Sequence, residues 1–229
     1  PIGSRGLGDV YKRQDLSYQF WHDRFGFLRN TLNAYRCDVV IGTNTTYDAL
    51  NTTKPYYRAG HVWVYKKDSG YDIKDWDSLD LKKAIIGVND KSPVAVALNA
   101  NGLMYNAKPY RIQRDLNTSP GAKIDDLIKG DIDIAIEWGP IGGYYAKKAN
   151  ADLVVVQIPE YAKDESLLTG KTYWNISAGV RKKDVERRDI LEAAIDRNID
   201  KIYAIMDEFG IPFVKPSFED RLDGYNRHK

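Results

Sequence analysis

From Asp15 onward the spacing of apolar residues keeps switching between two and 3.6, the sign of strands alternating with helices. Phe27, Leu28, Leu32 and Ala34 fit a short helix ending near Arg36, and residues 38–42 (Asp-Val-Val-Ile-Gly) predict a short buried strand. Residues 61–66 alternate, placing Val62, Val64 and the stem of Lys66 on one face and Trp63 and Tyr65 on the other. Residues 84–88 predict a third strand. Asp90 or Ser92 can then cap a helix with Pro93 in its first turn, and Asn101-Gly102 gives it a left-handed stop.

Further on, 122–129 predicts a helix, 132–136 a buried strand, 140–148 a helix despite Gly142 and Gly143, and 153–158 a β-branched strand closed by Pro159. A polar loop over 163–171 leads to a weakly alternating strand at 172–181. Over 184–209, Ile190, Leu191, Ala194, Ile195, Ile199, Ile202, Ile205, Met206 and Phe209 recur at helical spacing, which predicts one or two amphipathic helices stopped by Gly210 and Pro212. Residues 33–42 and 128–136 echo each other as helix end, polar turn, Asp, then apolar strand. Two similar βα lobes would produce that echo; the period fits a single doubly wound sheet as well.

Composition narrows the classes. With 43% hydrophobic and 29% charged residues the 229-residue chain is neither disordered nor a disulfide scaffold, and no run approaches the roughly 18 apolar residues of a membrane span. One cysteine, Cys37, and three histidines exclude a zinc finger or an iron-sulfur cluster. Residues 1–14 read as a sequencing-adapter artefact, because Asp9-Val10-Tyr11-Lys12-Arg13-Gln14 translates GAT GTG TAT AAG AGA CAG, a transposon end. Removing Arg5, Lys12, Arg13 and Asp9 from 34 basic and 32 acidic residues leaves 31 of each. The balance gives no argument for nucleic acid as a partner.

Chemistry-bearing motifs are sparse. There is no Gly-x-Ser-x-Gly elbow, phosphate-binding loop or dinucleotide fingerprint, and Cys37, just before an apolar strand, reads as a packed thiol. Residues 75–80 mimic the opening of a calcium loop, but Leu79 stands at its fifth position, which predicts a solvated surface turn. Tyr56-Tyr57 and Tyr144-Tyr145 read as cleft or core aromatics before iron ligands. Polar and aromatic residues do gather where predicted strands end, at 43–48, 54–58, 89–93 and 137–139. Ligands of α/β sheets bind beyond the carboxyl ends of strands, so these loops are where a pocket is expected.

Four separated segments then resemble a known family. Residues 26–34 (GFLRNTLNA), 36–42 (RCDVVIG), 52–58 (TTKPYYR) and 137–146 (EWGPIGGYYA) look like the periplasmic accessory proteins of PQQ-dependent methanol dehydrogenases, the MxaJ and XoxJ type, which are related to family 3 extracellular solute-binding proteins. The resemblance runs from about residue 15 to 214. It implies an α/β type II periplasmic binding fold, with lobe 1 over 15–65 and 175–229, lobe 2 over 66–174, and hinge strands at 63–67 and 173–178. It also implies that the family's opening strand and helix, which precede Trp21, are absent, so that the chain is a fragment.

The same resemblance implies a periplasmic, non-enzymatic factor for methanol oxidation that binds the dehydrogenase or a maturation ligand, with Tyr161 and Trp76 as surface anchors. No cofactor, metal or catalytic residue is expected. The alternatives are the substrate-binding component of an ABC importer and a dehydratase-like enzyme with Glu137 as a general acid. Amino-acid-binding relatives hold the carboxylate with an Arg and the ammonium with an acid; here those places carry Thr45-Thr46-Tyr47 and Glu137-Trp138, and Arg58 on the outgoing strand is a weak substitute. The expected cleft residues are Thr43, Thr45, Tyr47, Tyr56, Tyr57, Asn89, Ser92, Glu137, Trp138 and Tyr144, suited to an apolar or aromatic group of a small molecule or peptide.

Overall fold

The computed structural model describes residues 16–21, 26–111, 117–162 and 170–221. The segment 1–14 and most of the polar loop over 163–171 lie outside them.

One strand organises the molecule. Strand β3 (Tyr57–Lys66) pairs antiparallel with β8 (Tyr173–Val180) over Tyr57 to Gly60, then from His61 onward lies between β6 (Ile134–Trp138) and β7 (Leu153–Gln157), antiparallel to both. On the first side β8 also carries β1 (Val40–Asn44) and the two-residue β2 (Asn51–Thr52). On the second, β6 continues in parallel to β4 (Ile86–Asn89) and that to β5 (Ala107–Tyr110). Two sheets, one per lobe, thus share β3, and the exchange of partners falls at Gly60 and His61. The hinge position implied at 63–67 is therefore paired on both edges inside the second sheet.

Lobe 2 is a sheet sealed on both faces. Trp63 and Tyr65 point into a cluster with Ile86, Val88, Ile134 and Ile136 under helix α2 (Pro93–Ala100), which contributes Val94 and Leu98. Val62 and Val64 point the other way, onto Ile124 and Leu127 of α3 (Ala122–Lys129) and Ala146 of α4 (Gly139–Lys148). Alternation in β3 thus reports two buried faces rather than one buried and one wet. Trp76 is 5% exposed with its ring 5.3 Å from that of Trp63, so it is a core residue and not a surface anchor. The glycines of α4 let it lie on the junction: a Cβ on Gly139 would stand 2.6 Å from the Gly60 carbonyl oxygen, and one on Gly143 2.2 Å from that of Gly210.

Lobe 1 is packed differently. Its apolar cluster is Leu28, Leu32 and Leu50, with Phe27, Cys37 and Val40 against it. The predicted helix over 27–36 is reduced to α1 (Phe27–Asn30), because the chain turns at Thr31 and Tyr35 takes a φ of 55°. The strand expected to be buried over 38–42 starts at Val40 and leaves Ile41 67% exposed. The C-terminal helices are α5 (Val185–Arg197) and α6 (Ile199–Glu208), as the apolar spacing predicts; Leu191, Ala194, Ile195, Ile199 and Ile202 are half-buried and Met206 is buried, while Ile190, Ile205 and Phe209 remain exposed.

Candidate functional site

Strands β4, β5 and β6 are parallel, so Asn89, Tyr110 and Trp138 end on one edge of lobe 2, and His61, opposite Trp138, brings β3 in from lobe 1 at the same edge. The carboxyl edge of the parallel strands therefore faces the junction. A closed ionic group lies there. Lys123, in the first turn of α3, places Nζ 2.9 Å from Glu137 Oε2, and the two side chains are 0% and 2% exposed. The same ammonium donates to Asn89 Oδ1 at 3.0 Å and to the Ile136 carbonyl oxygen at 2.6 Å. Glu137 Oε1 accepts from the Trp138 N–H at 2.8 Å and lies 3.5 Å from Asn89 Nδ2. Burial lowers the pKa of the Lys123 ammonium, and the Glu137 carboxylate opposes that shift.

Beside this group stands an aromatic cluster. The rings of His61, Trp138 and Trp174 meet at 5.6 to 5.8 Å, with both tryptophans half-buried. His61 Nδ1 donates to the Thr172 carbonyl oxygen at 3.2 Å, and burial pushes the ring's pKa down to about 4. The imidazole is neutral near pH 7 and packs as a third flat ring.

The residues expected at one cleft fall into several places. Asn89, Ser92, Glu137 and Trp138 share the lobe 2 edge; Ser92 donates to the Asn89 carbonyl oxygen at 2.7 Å. Thr43, Thr45 and Tyr47 belong to β1 and the loop after it. The Thr45 hydroxyl donates to Asn175 O at 3.0 Å and lies 2.7 Å from Ser177 Oγ, so it ties β1 to β8, and Thr43 faces Ser177 in the ladder. Thr45 and Tyr47 also line a cavity of about 280 Å³ with Lys182 and Arg188, a wall made wholly of lobe 1 residues. Tyr56 is buried edge-on against Tyr57 at 4.9 Å, and burial pushes the Tyr57 hydroxyl up to about 12. Tyr144 leaves the group, lying 5.1 Å from the ring of Tyr145 and stacked near Phe209 at 5.9 Å.

Arg58 is engaged as well. It pairs with Glu160 at 3.1 Å, approaches Asp220 at 3.9 Å and lies over the Tyr173 ring. Sequence reasoning missed Lys123, His61 and Trp174. For Lys123 a signal existed: it stands four residues before Leu127, on the apolar stripe of its helix, where a lysine needs a buried partner.

No family model matches the chain. It is 26% identical over 202 residues to Protein MoxJ of Methylorubrum extorquens, covering 83% of this chain and 67% of that protein. Among solved structures, MxaJ from Methlophaga aminisulfidivorans superposes with a TM-score of 0.76 at 25% identity, over 90% of this chain and 88% of the other. The periplasmic binding protein XoxJ from Methylobacterium extorquens does so with a TM-score of 0.70 at 27% identity, over 91% and 86%. Sequence and strand pairing agree with these likenesses: the chain is similar in sequence to the MoxJ, MxaJ and XoxJ proteins and has the type II periplasmic binding fold.

Proposed function

We propose that this protein is a periplasmic accessory factor for PQQ-dependent methanol oxidation that works by binding, either to the dehydrogenase or to a molecule needed to mature it. The observation that carries the reading is the likeness to MoxJ, MxaJ and XoxJ in both sequence and fold over most of the chain. The site chemistry supports it. A free amino acid presents a carboxylate and an ammonium; here Arg58 is already held by Glu160 and Asp220, and Glu137 by Lys123. What the junction offers instead is the flat surface of Trp138 and Trp174, half-open and suited to an apolar or aromatic group of a peptide or partner loop. The same pairing argues against Glu137 as the general acid of a dehydratase, since its carboxylate is buried against Lys123 and the Trp138 N–H.

Native mass spectrometry of the protein with its cognate periplasmic methanol dehydrogenase tests the proposal. A complex at micromolar concentration is expected, weakened by Trp174→Ala; no association at that concentration overturns it. Calorimetry against free amino acids separates the importer alternative, for which submicromolar binding of one of them would be required.

A further inference from the structure

The chain passes between the lobes through β3, at Gly60 and His61, and returns ahead of β8. A third tie is made without the sheet. From the end of α6 in lobe 1, residues 209–214 run along α4 of lobe 2. Lys147 Nζ donates to the Glu208 carbonyl oxygen at 2.6 Å, and the Phe209 ring stacks near that of Tyr144 at 5.9 Å. Pro212 sits over Gly139 and Gly143, where added Cβ atoms would stand 3.3 Å from its Cγ and 2.5 Å from its Cδ. Glycine inside a helix is unfavourable relative to alanine, and here the bare positions admit the segment that fills them. The segment is then fastened back to lobe 1. Val214 and Arg58 exchange backbone hydrogen bonds at 2.8 and 2.9 Å, and Phe213 stacks at 5.0 Å on Tyr203, whose hydroxyl donates to the Tyr56 carbonyl oxygen. A rotation parting the lobes about Gly60 would have to draw α4 off this segment while Val214 holds it to β3.

We propose that residues 209–214 are a strap that fixes the angle between the lobes, so that this protein keeps one interlobe arrangement instead of opening and closing around its cleft. Arg58 and Glu160 also span the junction at 3.1 Å, but both side chains are part-exposed and such a pair adds little. The strap has a consequence for binding. Trp138 of lobe 2 and Trp174 of β8 are held 5.8 Å apart before any partner arrives, so docking on them costs no domain motion.

Spin labels on Lys183→Cys in lobe 1 and Asn99→Cys in lobe 2, both exposed positions, report the interlobe distance by double electron–electron resonance, with Cys37→Ser removing the native thiol. The otherwise unaltered chain should give one narrow distance. Gly143→Leu should push the strap off its seat and Phe209→Ala should loosen it, each adding a second distance from a state otherwise held below about 10%. Phe209 is 45% exposed, so its truncation keeps the test available if Gly143→Leu does not fold. Glu160→Gln should leave the single distance unchanged. Two distances before any strap substitution overturn the inference. So does one unchanged distance in every folded strap variant, or a second distance produced by Glu160→Gln alone. The dehydrogenase takes no part in these measurements, and its failure to bind would leave their outcome standing.

Discussion

Lobe 2 and lobe 1 share a strand but are held together by different means. In lobe 2 a sheet is sealed on both faces by apolar clusters that include Trp63, Leu98, Ile134 and Ile136 on one side and Val62, Ile124 and Leu127 on the other. In lobe 1 three buried leucines form the apolar cluster, and a cation does much of the fastening. Arg181, 12% exposed, donates to the carbonyl oxygens of Leu32 and Cys37 and pairs with Asp38 and Asp184, with its guanidinium 4.4 Å from the centre of the Tyr35 ring. Lobe 2 relies on area removed from water, and lobe 1 adds to a smaller apolar cluster a set of directed contacts to a turn. The two should respond differently to truncation, to pH and to salt.

The largest effects belong to lobe 2. Trp63→Ala empties a fully buried site between β6 and β7 and should cost about 3–5 kcal/mol. Glu137→Ala should cost a similar amount, because it leaves the buried Lys123 ammonium without its countercharge. Urea unfolding of each variant measures both. A loss under 1 kcal/mol for Trp63→Ala would mean that the lobe 2 core is not where the stability lies.

The junction between the lobes should carry the pH dependence. His61 has an ordinary value of 6.5 and a folded value of about 4, so between them the unfolded chain takes up protons more readily than the folded one. Its contribution is complete above about pH 6.5 and is lost as pH falls towards 4, by up to about 3 kcal/mol. His61→Phe, which keeps a flat ring beside Trp138 and Trp174, should flatten unfolding free energy over that window. An unchanged slope in the variant would assign the acid sensitivity elsewhere.

In lobe 1, Arg181→Met should cost about 1–3 kcal/mol, chiefly from the Cys37 carbonyl oxygen left without its guanidinium donor and the Leu32 carbonyl oxygen left with the Tyr35 N–H alone. The half-exposed Asp38 adds little to this. Hydrogen exchange would localise the loss: amides of residues 31–38 should lose protection while those of β6 keep theirs. Loss of protection in β6 as well would show that the lobes unfold as one unit.

The same contrast explains what could be read from the sequence. Helix α3 falls on the predicted residues, and β3 alternates as expected, because local period and tertiary burial agree in lobe 2. The short β5 was not foreseen: Pro109 argues against a strand, and is tolerated because β5 ends the sheet order and needs neighbours on one side only. In lobe 1 the apolar period over-predicts burial, since Ile41 and Ile190 follow the pattern yet remain 67% and 62% exposed. At the site, strand ends marked Asn89, Glu137 and Trp138. The partner of Glu137 could not be read there, because Lys123 reaches it across the sheet from another element. His61 joins Trp174 by a pairing between distant segments, which no local period encodes.

The smallest expected effect gives the sharpest limit on the comparison. Ile190 on α5 and Ile205 on α6 are 62% and 53% exposed, outside the half-buried stripe of Leu191, Ala194 and Ile195. If that face meets water, exchanging either side chain for serine removes little buried area, and each change should stay within about 0.5 kcal/mol in urea unfolding. The controls are in the same lobe: Leu32→Ala, fully buried, should cost at least about 2 kcal/mol. A loss above 1 kcal/mol for Ile190→Ser would show that the helix face is covered in solution. Measuring that loss at several protein concentrations then identifies the cover, because contact with a second copy weakens on dilution and contact within one chain does not.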